Sequence, residues 1–181
     1  ARLLTSITRI GLVETLAKIN GDFALALFDE ESRTLKLARD RFGIRPLYHA
    51  TANGMLAFAS RPRSLLRVPG VSRDPDPKFV MASAGTHYRF IDSDPSRSPF
   101  RGIAQVPAGH VVTVKNGSTS ALRFADIKAG ATPVGSERDQ TEEYFELLRD
   151  AVGRRLRRAD KPVFTLSGGL DSSTIASLAG E

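Results

Sequence analysis

Apolar residues recur at helical spacing from the start of the chain, at Leu3, Ile7 and Ile10 and again, after Gly11, at Leu12, Leu16 and Ile19. This spacing predicts one kinked helix or two short ones, stopped at Asn20-Gly21. The period then changes. Phe23, Leu25 and Leu27 alternate with Ala24, Ala26 and Phe28, so both faces are apolar, as in a strand covered on both sides in the middle of a layered fold. Asp29-Glu30-Glu31-Ser32 is a polar turn, and Leu35 and Leu37 share one face of a second strand over 34–38, which completes a hairpin. Residues 48–50 and 55–59 flank Asn53-Gly54, a strong hairpin signal, and Val111 to Lys115 lead as a strand into Asn116-Gly117. Loops are expected at 69–77 and 93–99. From 118 to 136 Gly, Ser, Ala and Thr carry little periodicity, which predicts a boundary between a domain at 1–135 and another at 136–181.

Beyond that stretch, Ser136-x-x-Asp139 forms a candidate capping box, and Phe145, Leu148, Val152 and Leu156 keep to one helical face. Acidic residues fill the first half of this helix and Arg154, Arg155, Arg157 and Arg158 its end, so each sign complements the helix dipole. A solvated helix end therefore accounts for the arginines better than a nucleic-acid patch does. Lys161-Pro162 stops the helix, and Val163 to Leu166 is a short β-prone run. Ser167-Gly168-Gly169-Leu170-Asp171-Ser172-Ser173 follows, opening onto a further helical pattern. In a strand–loop–helix context the two glycines admit backbone N–H groups to a ligand, the hydroxyls add donors, and the helix points its positive end at the same spot. Such a loop suits phosphate, and the Asp171 carboxylate beside it suggests a divalent-metal ligand.

Composition sharpens this picture by exclusion. The 181 residues are 41% hydrophobic and 25% charged, enough for a real core. No cysteine is present, so disulfides, zinc thiolates and a cysteine nucleophile are excluded within these residues. The net charge of +6 comes mainly from 20 arginines, scattered and not gathered into a stripe, which argues against a nucleic-acid partner. No apolar run reaches the length of a bilayer span and no secretory signal opens the chain, so a cytoplasmic protein with no membrane partner is expected. His49, His87 and His110 have no ligand spacing among them, and no metal is assigned to them. The absent initiator Met and the stop within a helical pattern suggest a fragment.

The loop at 167–173 lacks the spacing and the Lys of a Walker A motif. It resembles the PP-loop, Ser-Gly-Gly-x-Asp-Ser, of the ATP pyrophosphatase superfamily, whose members cleave ATP to AMP and pyrophosphate to activate a substrate as an adenylate. The resemblance implies that Ser167, Gly168, Gly169, Asp171, Ser172 and Ser173 bind ATP, that Leu166 lies against the nucleotide, and that Asp171 contacts Mg²⁺. Upstream, Asn20-Gly21-Asp22-Phe23-Ala24-Leu25-Ala26-Leu27-Phe28-Asp29, Ala38-Arg39-Asp40-Arg41-Phe42-Gly43-Ile44-Arg45-Pro46-Leu47-Tyr48 and Phe58-Ala59-Ser60 resemble the class II glutamine amidotransferase domain. The asparagine synthetase group joins these two motif sets in this order, and Gly102-Ile103 and Val106-Pro107-Ala108-Gly109-His110 fit it as well. The implied fold class is α+β: part of an αββα, Ntn-hydrolase-like glutaminase sandwich, then the first helix, strand, loop and helix of an α/β synthetase domain.

In that group an N-terminal Cys, expected upstream of Ala1, releases ammonia from glutamine. A carboxylate such as aspartate attacks ATP at the PP-loop to form an acyl adenylate, and ammonia displaces AMP. The resemblance implies glutamine, ATP and that carboxylate as small-molecule partners, with a homodimer left open. Asn20 is expected in the glutamine pocket, on the substrate's α-amino group, where the family often has Asp; Asn keeps the acceptor and loses the charge. Arg61 stands where the family usually has Glu. These two departures keep open a lactam synthetase or lasso-peptide cyclase with a silent glutaminase half. A non-catalytic nucleotide-binding or interaction module is the alternative of another class. Arg39, Asp40 and Arg45 are expected to form structural ion pairs.

Overall fold

A computed structural model describes residues 2–85, 94–126, 130, 135–157 and 159–180. The chain divides into two compact units, 1–127 and 128–181. The fold is mixed α/β with antiparallel sheets. Among the described residues no helix is long and apolar enough to cross a membrane.

The first unit opens with two short helices, α1 (Arg2–Ile10) and α2 (Leu12–Lys18), broken at Gly11. Strands β1 (Ala24–Asp29) and β2 (Thr34–Arg39) form the expected hairpin, with Leu25 opposite Ala38 and Phe28 opposite Leu35. After β3 (Tyr48–Ala52), β4 (Met55–Ala59), α3 (Pro62–Leu65), α4 (Pro77–Gly85) and β5 (Ile103–Gln105) come β6 (His110–Lys115) and β7 (Ser118–Arg123). One sheet has the order β1-β2-β6-β7 and the other β4-β3-β5. Asn53 and Gly54 have φ of 51° and 75°, and Asn116 and Gly117 have 50° and 77°. These are the left-handed values that a two-residue hairpin turn demands, and they explain why Asn-Gly stands at both places.

Alternation on β2 and β6 sorts the core. Ala38 and Val111 meet Leu12 and Leu16 beneath the helices, with Phe23, Leu25 and Leu27 of the β1 segment packed against them. Leu37 and Val112, one residue along, meet Leu47 and Val106 on the opposite side. Ala50, Ile103 and Leu65 form a third cluster where α3 covers the second sheet. Of the two inner strands, β2 and β6, β2 is the more buried, with only Leu35 and Lys36 half-buried. The two-faced apolar run at 23–28 is an edge strand, and Phe28 stands half exposed at its end. Which strand becomes central depends on pairing with β6, far away in sequence, and not on the strand's own hydrophobicity. The linker expected at 118–136 is also corrected in part, because 118–123 form β7. All six of its residues are exposed, so no buried face imposed a pattern.

In the second unit α5 (Glu137–Leu156) carries the expected capping box: Ser136 Oγ accepts from the Asp139 N–H, and the Asp139 carboxylate accepts from the Ser136 N–H. The last element is α6 (Leu170–Leu178). Residues 163–166 form no strand; among the described residues none pairs with them, and Val163 is almost fully exposed. A β-prone run without a neighbouring strand has no ladder to join. His87 and Arg158 lie outside the described residues.

Candidate functional site

Two polar loops stand out, one in each unit. In the first, the chain leaves β2 through Arg39 and Asp40, which are 8% and 1% exposed. The Asp40 carboxylate accepts the backbone N–H groups of Phe42 (3.1 Å), Ile44 (3.0 Å) and Arg45 (2.9 Å), while its own N–H donates to the Phe23 carbonyl. Burial pushes its pKa up, and the backbone hydrogen bonds of Arg45, Ile44, Phe42 and Phe23 more than offset this, leaving it below the usual carboxylate value. Arg39 Nε donates to the Arg45 carbonyl at 3.1 Å, Nη1 to Val106 at 3.0 Å, and Nη2 to Gly43. The network sets the Gln105 amide oxygen toward the guanidinium, where it accepts from Nη1 and Nη2. All five guanidinium protons are thereby used. Burial lowers the Arg39 pKa against the opposing pull of Tyr48 and Asp40.

The expected ion pairs are therefore corrected: among the described residues Arg39, Asp40 and Arg45 make no salt bridge, and the first two hold backbone instead. Gly43 is required here, because its φ is +66° and a Cβ would meet the Arg39 guanidinium at 2.9 Å. The loop's surface is left to Arg41, Phe42, Ile44 and Arg45, all exposed. Arg39, Gln105, His110 and Arg123 line an adjoining cavity of about 520 Å³.

In the second unit, Ser167 to Gly169 lead into α6, whose N-terminus is Gly169 and carries no side-chain cap. Gly168 has φ +79°, and the place a Cβ would occupy is open. The hydroxyls of Ser167 and Ser172 lie 3.0 Å apart. Ser172 Oγ accepts from the Ser167 N–H at 3.2 Å and donates to the Gly169 carbonyl at 3.2 Å; Ser167 Oγ accepts from the Gly169 N–H at 3.3 Å. Ser173 Oγ donates to the same Gly169 carbonyl at 2.9 Å. Asp171 sits in the first turn of α6, and Leu166 and Leu170 are 66% and 83% exposed. The structure thus brings Ser167, Gly168, Gly169, Ser172 and Ser173 together at an open helix N-terminus, with Asp171 beside them. Such an opening fits an anion. Asp171 is a hard oxygen donor of the kind Mg²⁺ takes, and among the described residues no three His, Asp or Glu gather into a metal cluster.

Asn20 lies exposed in the connection between α2 and β1, and Arg61 immediately precedes α3. Asn20 lines neither the cavity beside Arg39 nor the apolar groove that Leu148, Val152, Phe164 and Ile175 form in the second unit. Sequence reasoning missed Gln105 as a partner of Arg39. No local signal marks it, since the two are joined only by the fold.

Residues 2–125 match the family model of a glutamine amidotransferase domain, and residues 143–181 match that of asparagine synthase. The chain belongs to the glutamine amidotransferase family, in its asparagine synthetase arrangement. It is 33% identical over 177 residues to asparagine synthetase [glutamine-hydrolyzing] 1 of Bacillus subtilis, a match covering 93% of this chain and 26% of that protein. It is 31% identical over 166 residues to asparagine synthetase [glutamine-hydrolyzing] 3 of the same organism, covering 89% and 26%. To the asparagine synthetase [glutamine-hydrolyzing] of Gallus gallus it is 31% identical over 172 residues, covering 94% and 29%. The chain spans about a quarter of the length of the curated relatives it matches.

Proposed function

We propose that this chain serves a glutamine-dependent, ATP-driven amide synthetase of the asparagine synthetase type. The observation that carries the reading is the order of its parts: an amidotransferase-family unit followed by a Ser-Gly-Gly-Leu-Asp-Ser-Ser loop at the start of a helix, within the segment matched to asparagine synthase. Ser167, Gly168, Gly169 and Ser172 hold the pyrophosphate part of ATP through backbone N–H groups and hydroxyls, Ser173 completes the ATP-binding loop, and Leu166 lies against the nucleotide. Asp171 holds Mg²⁺, which when bound supplies positive charge to the phosphate oxygens. The carboxylate of the acceptor, aspartate in this reading, forms a bond to the α-phosphorus as the bond to pyrophosphate breaks. The loop contributes positioning and preorganised donors, not covalent chemistry.

The first unit supplies the scaffold of the glutaminase half. The placing of apolar clusters on the two faces of the β1-β2-β6-β7 sheet, one under α1 and α2 and one toward Leu47 and Val106, supports the αββα sandwich reading. Asn20 we assign to the substrate's α-amino group; its exposed amide offers a neutral acceptor. The test is isotopic. Whole protein given amide-¹⁵N glutamine, ATP, Mg²⁺ and aspartate is expected to place the label in asparagine and to release AMP and pyrophosphate in equal amount. Release of AMP with no transfer of label would replace this reading by one in which the acceptor carries its own amine.

A further inference from the structure

The loop hydroxyls can be followed proton by proton. Ser172 Oγ has one proton, and its donation to the Gly169 carbonyl leaves Ser167 as the donor across the 3.0 Å hydroxyl contact. Ser172 Oγ then accepts from both the N–H and the O–H of Ser167 and is saturated, and Ser167 Oγ receives the Gly169 N–H. In this closed ring neither proton is free for a phosphate oxygen. Any anion that Ser172 binds directly must take its proton away from the Gly169 carbonyl. That carbonyl, however, already accepts the Ser173 hydroxyl at 2.9 Å and the Ser173 N–H at 3.3 Å. Thr174 Oγ1 makes the same backward bond, onto Leu170, and among the described residues no second hydroxyl is shared there. Backward bonds of this kind are ordinary in helices; two hydroxyls on one carbonyl at the mouth of the loop are what sets Gly169 apart.

We propose that Ser173 is a positioning residue for the phosphate loop: by keeping the Gly169 carbonyl hydrogen-bonded, it frees Ser172 to turn its proton from that carbonyl to a phosphate oxygen. The inference rests on the ATP-binding reading of this loop and refines it, because Ser173 then touches no phosphate itself. Ser172 is the exchanging donor, Ser173 the stand-in, and Ser167 the partner that keeps the ring closed while the loop is free.

The test is a double-mutant cycle in the whole protein, read as the apparent KM for ATP in ATP–pyrophosphate exchange. Ser173→Ala is expected to raise that KM about 3- to 10-fold, the worth of one ordinary hydrogen bond. Ser173→Thr, which keeps the hydroxyl and its backward bond, is expected to restore it. In the Ser172→Ala background, adding Ser173→Ala is expected to change KM less than about 2-fold, because Ser173 acts only through Ser172. An equal factor in both backgrounds would make Ser173 a direct phosphate ligand and overturn the proposal, as would a Ser173→Ala protein with unaltered KM. Wild-type protein that exchanges normally while the cycle is additive overturns only this inference. Wild-type protein with no exchange overturns the ATP reading and this inference with it.

Discussion

The loop at 39–47 and the loop at 167–173 both combine glycine with charged or hydroxyl side chains, yet they use them in opposite directions. In the first, Arg39 and Asp40 turn inward, lose their water and are repaid by backbone carbonyls and N–H groups of their own loop and of the 105–106 segment. In the second, every described residue from Ser167 to Asp171 is exposed, and the serines satisfy one another and Gly169 locally. A buried polar group with all its partners fixes a conformation, whereas an exposed one can change partners at small cost. The first arrangement therefore suits stability and the second suits a ligand. The same residue types in a motif do not distinguish these roles; their burial does.

This contrast can be broken at either loop. Asp40→Ala removes the acceptor of three N–H groups and is expected to cost about 3 kcal/mol of stability, read as a lower melting temperature of the whole protein. Its folded pKa is depressed, so its contribution is fully present above the unfolded value of about 4 and is lost as pH falls through the folded one. The stability gap between wild type and Asp40→Ala should accordingly narrow in acid denaturation, and a gap that widened below pH 4 would refute the assignment. Arg39→Lys keeps the charge but cannot meet the carbonyls of Arg45, Val106 and Gly43 together with Gln105; about 2 kcal/mol is expected, measured by urea unfolding. Ser136→Ala at the cap of α5 should cost about 1 kcal/mol, seen as faster hydrogen exchange in the first turn of that helix. Asp171→Ala, on an exposed helix turn, is expected to shift stability by no more than about 0.5 kcal/mol.

The legibility of the chain follows the same division between local and distant causes. The helix break at Gly11, the Asn53-Gly54 hairpin, the turn at Asn116-Gly117 and the Ser136–Asp139 box were readable because each is a local conformational demand met by a few adjacent residues. The edge position of β1 was not, since pairing of β2 with β6 decides it. Nor was β7, whose exposed Ser-Thr-Ser-Ala-Leu-Arg has no buried face to impose alternation. At the loops, the Ser-Gly-Gly-Leu-Asp-Ser-Ser run was legible from composition and context as a glycine-bearing loop that opens a helix. The partners of Arg39 were not, because Val106 lies 67 positions away and the bond is to its carbonyl, which every residue possesses.

The most direct test of the account is ATP–pyrophosphate exchange by the whole protein carrying Asp171→Ala, with melting followed in parallel. The account predicts an unaltered melting temperature and exchange reduced by at least about 1,000-fold, a loss of about 4 kcal/mol in transition-state stabilisation. Undiminished exchange in a folded Asp171→Ala protein would contradict it and remove the loop's carboxylate from the reaction.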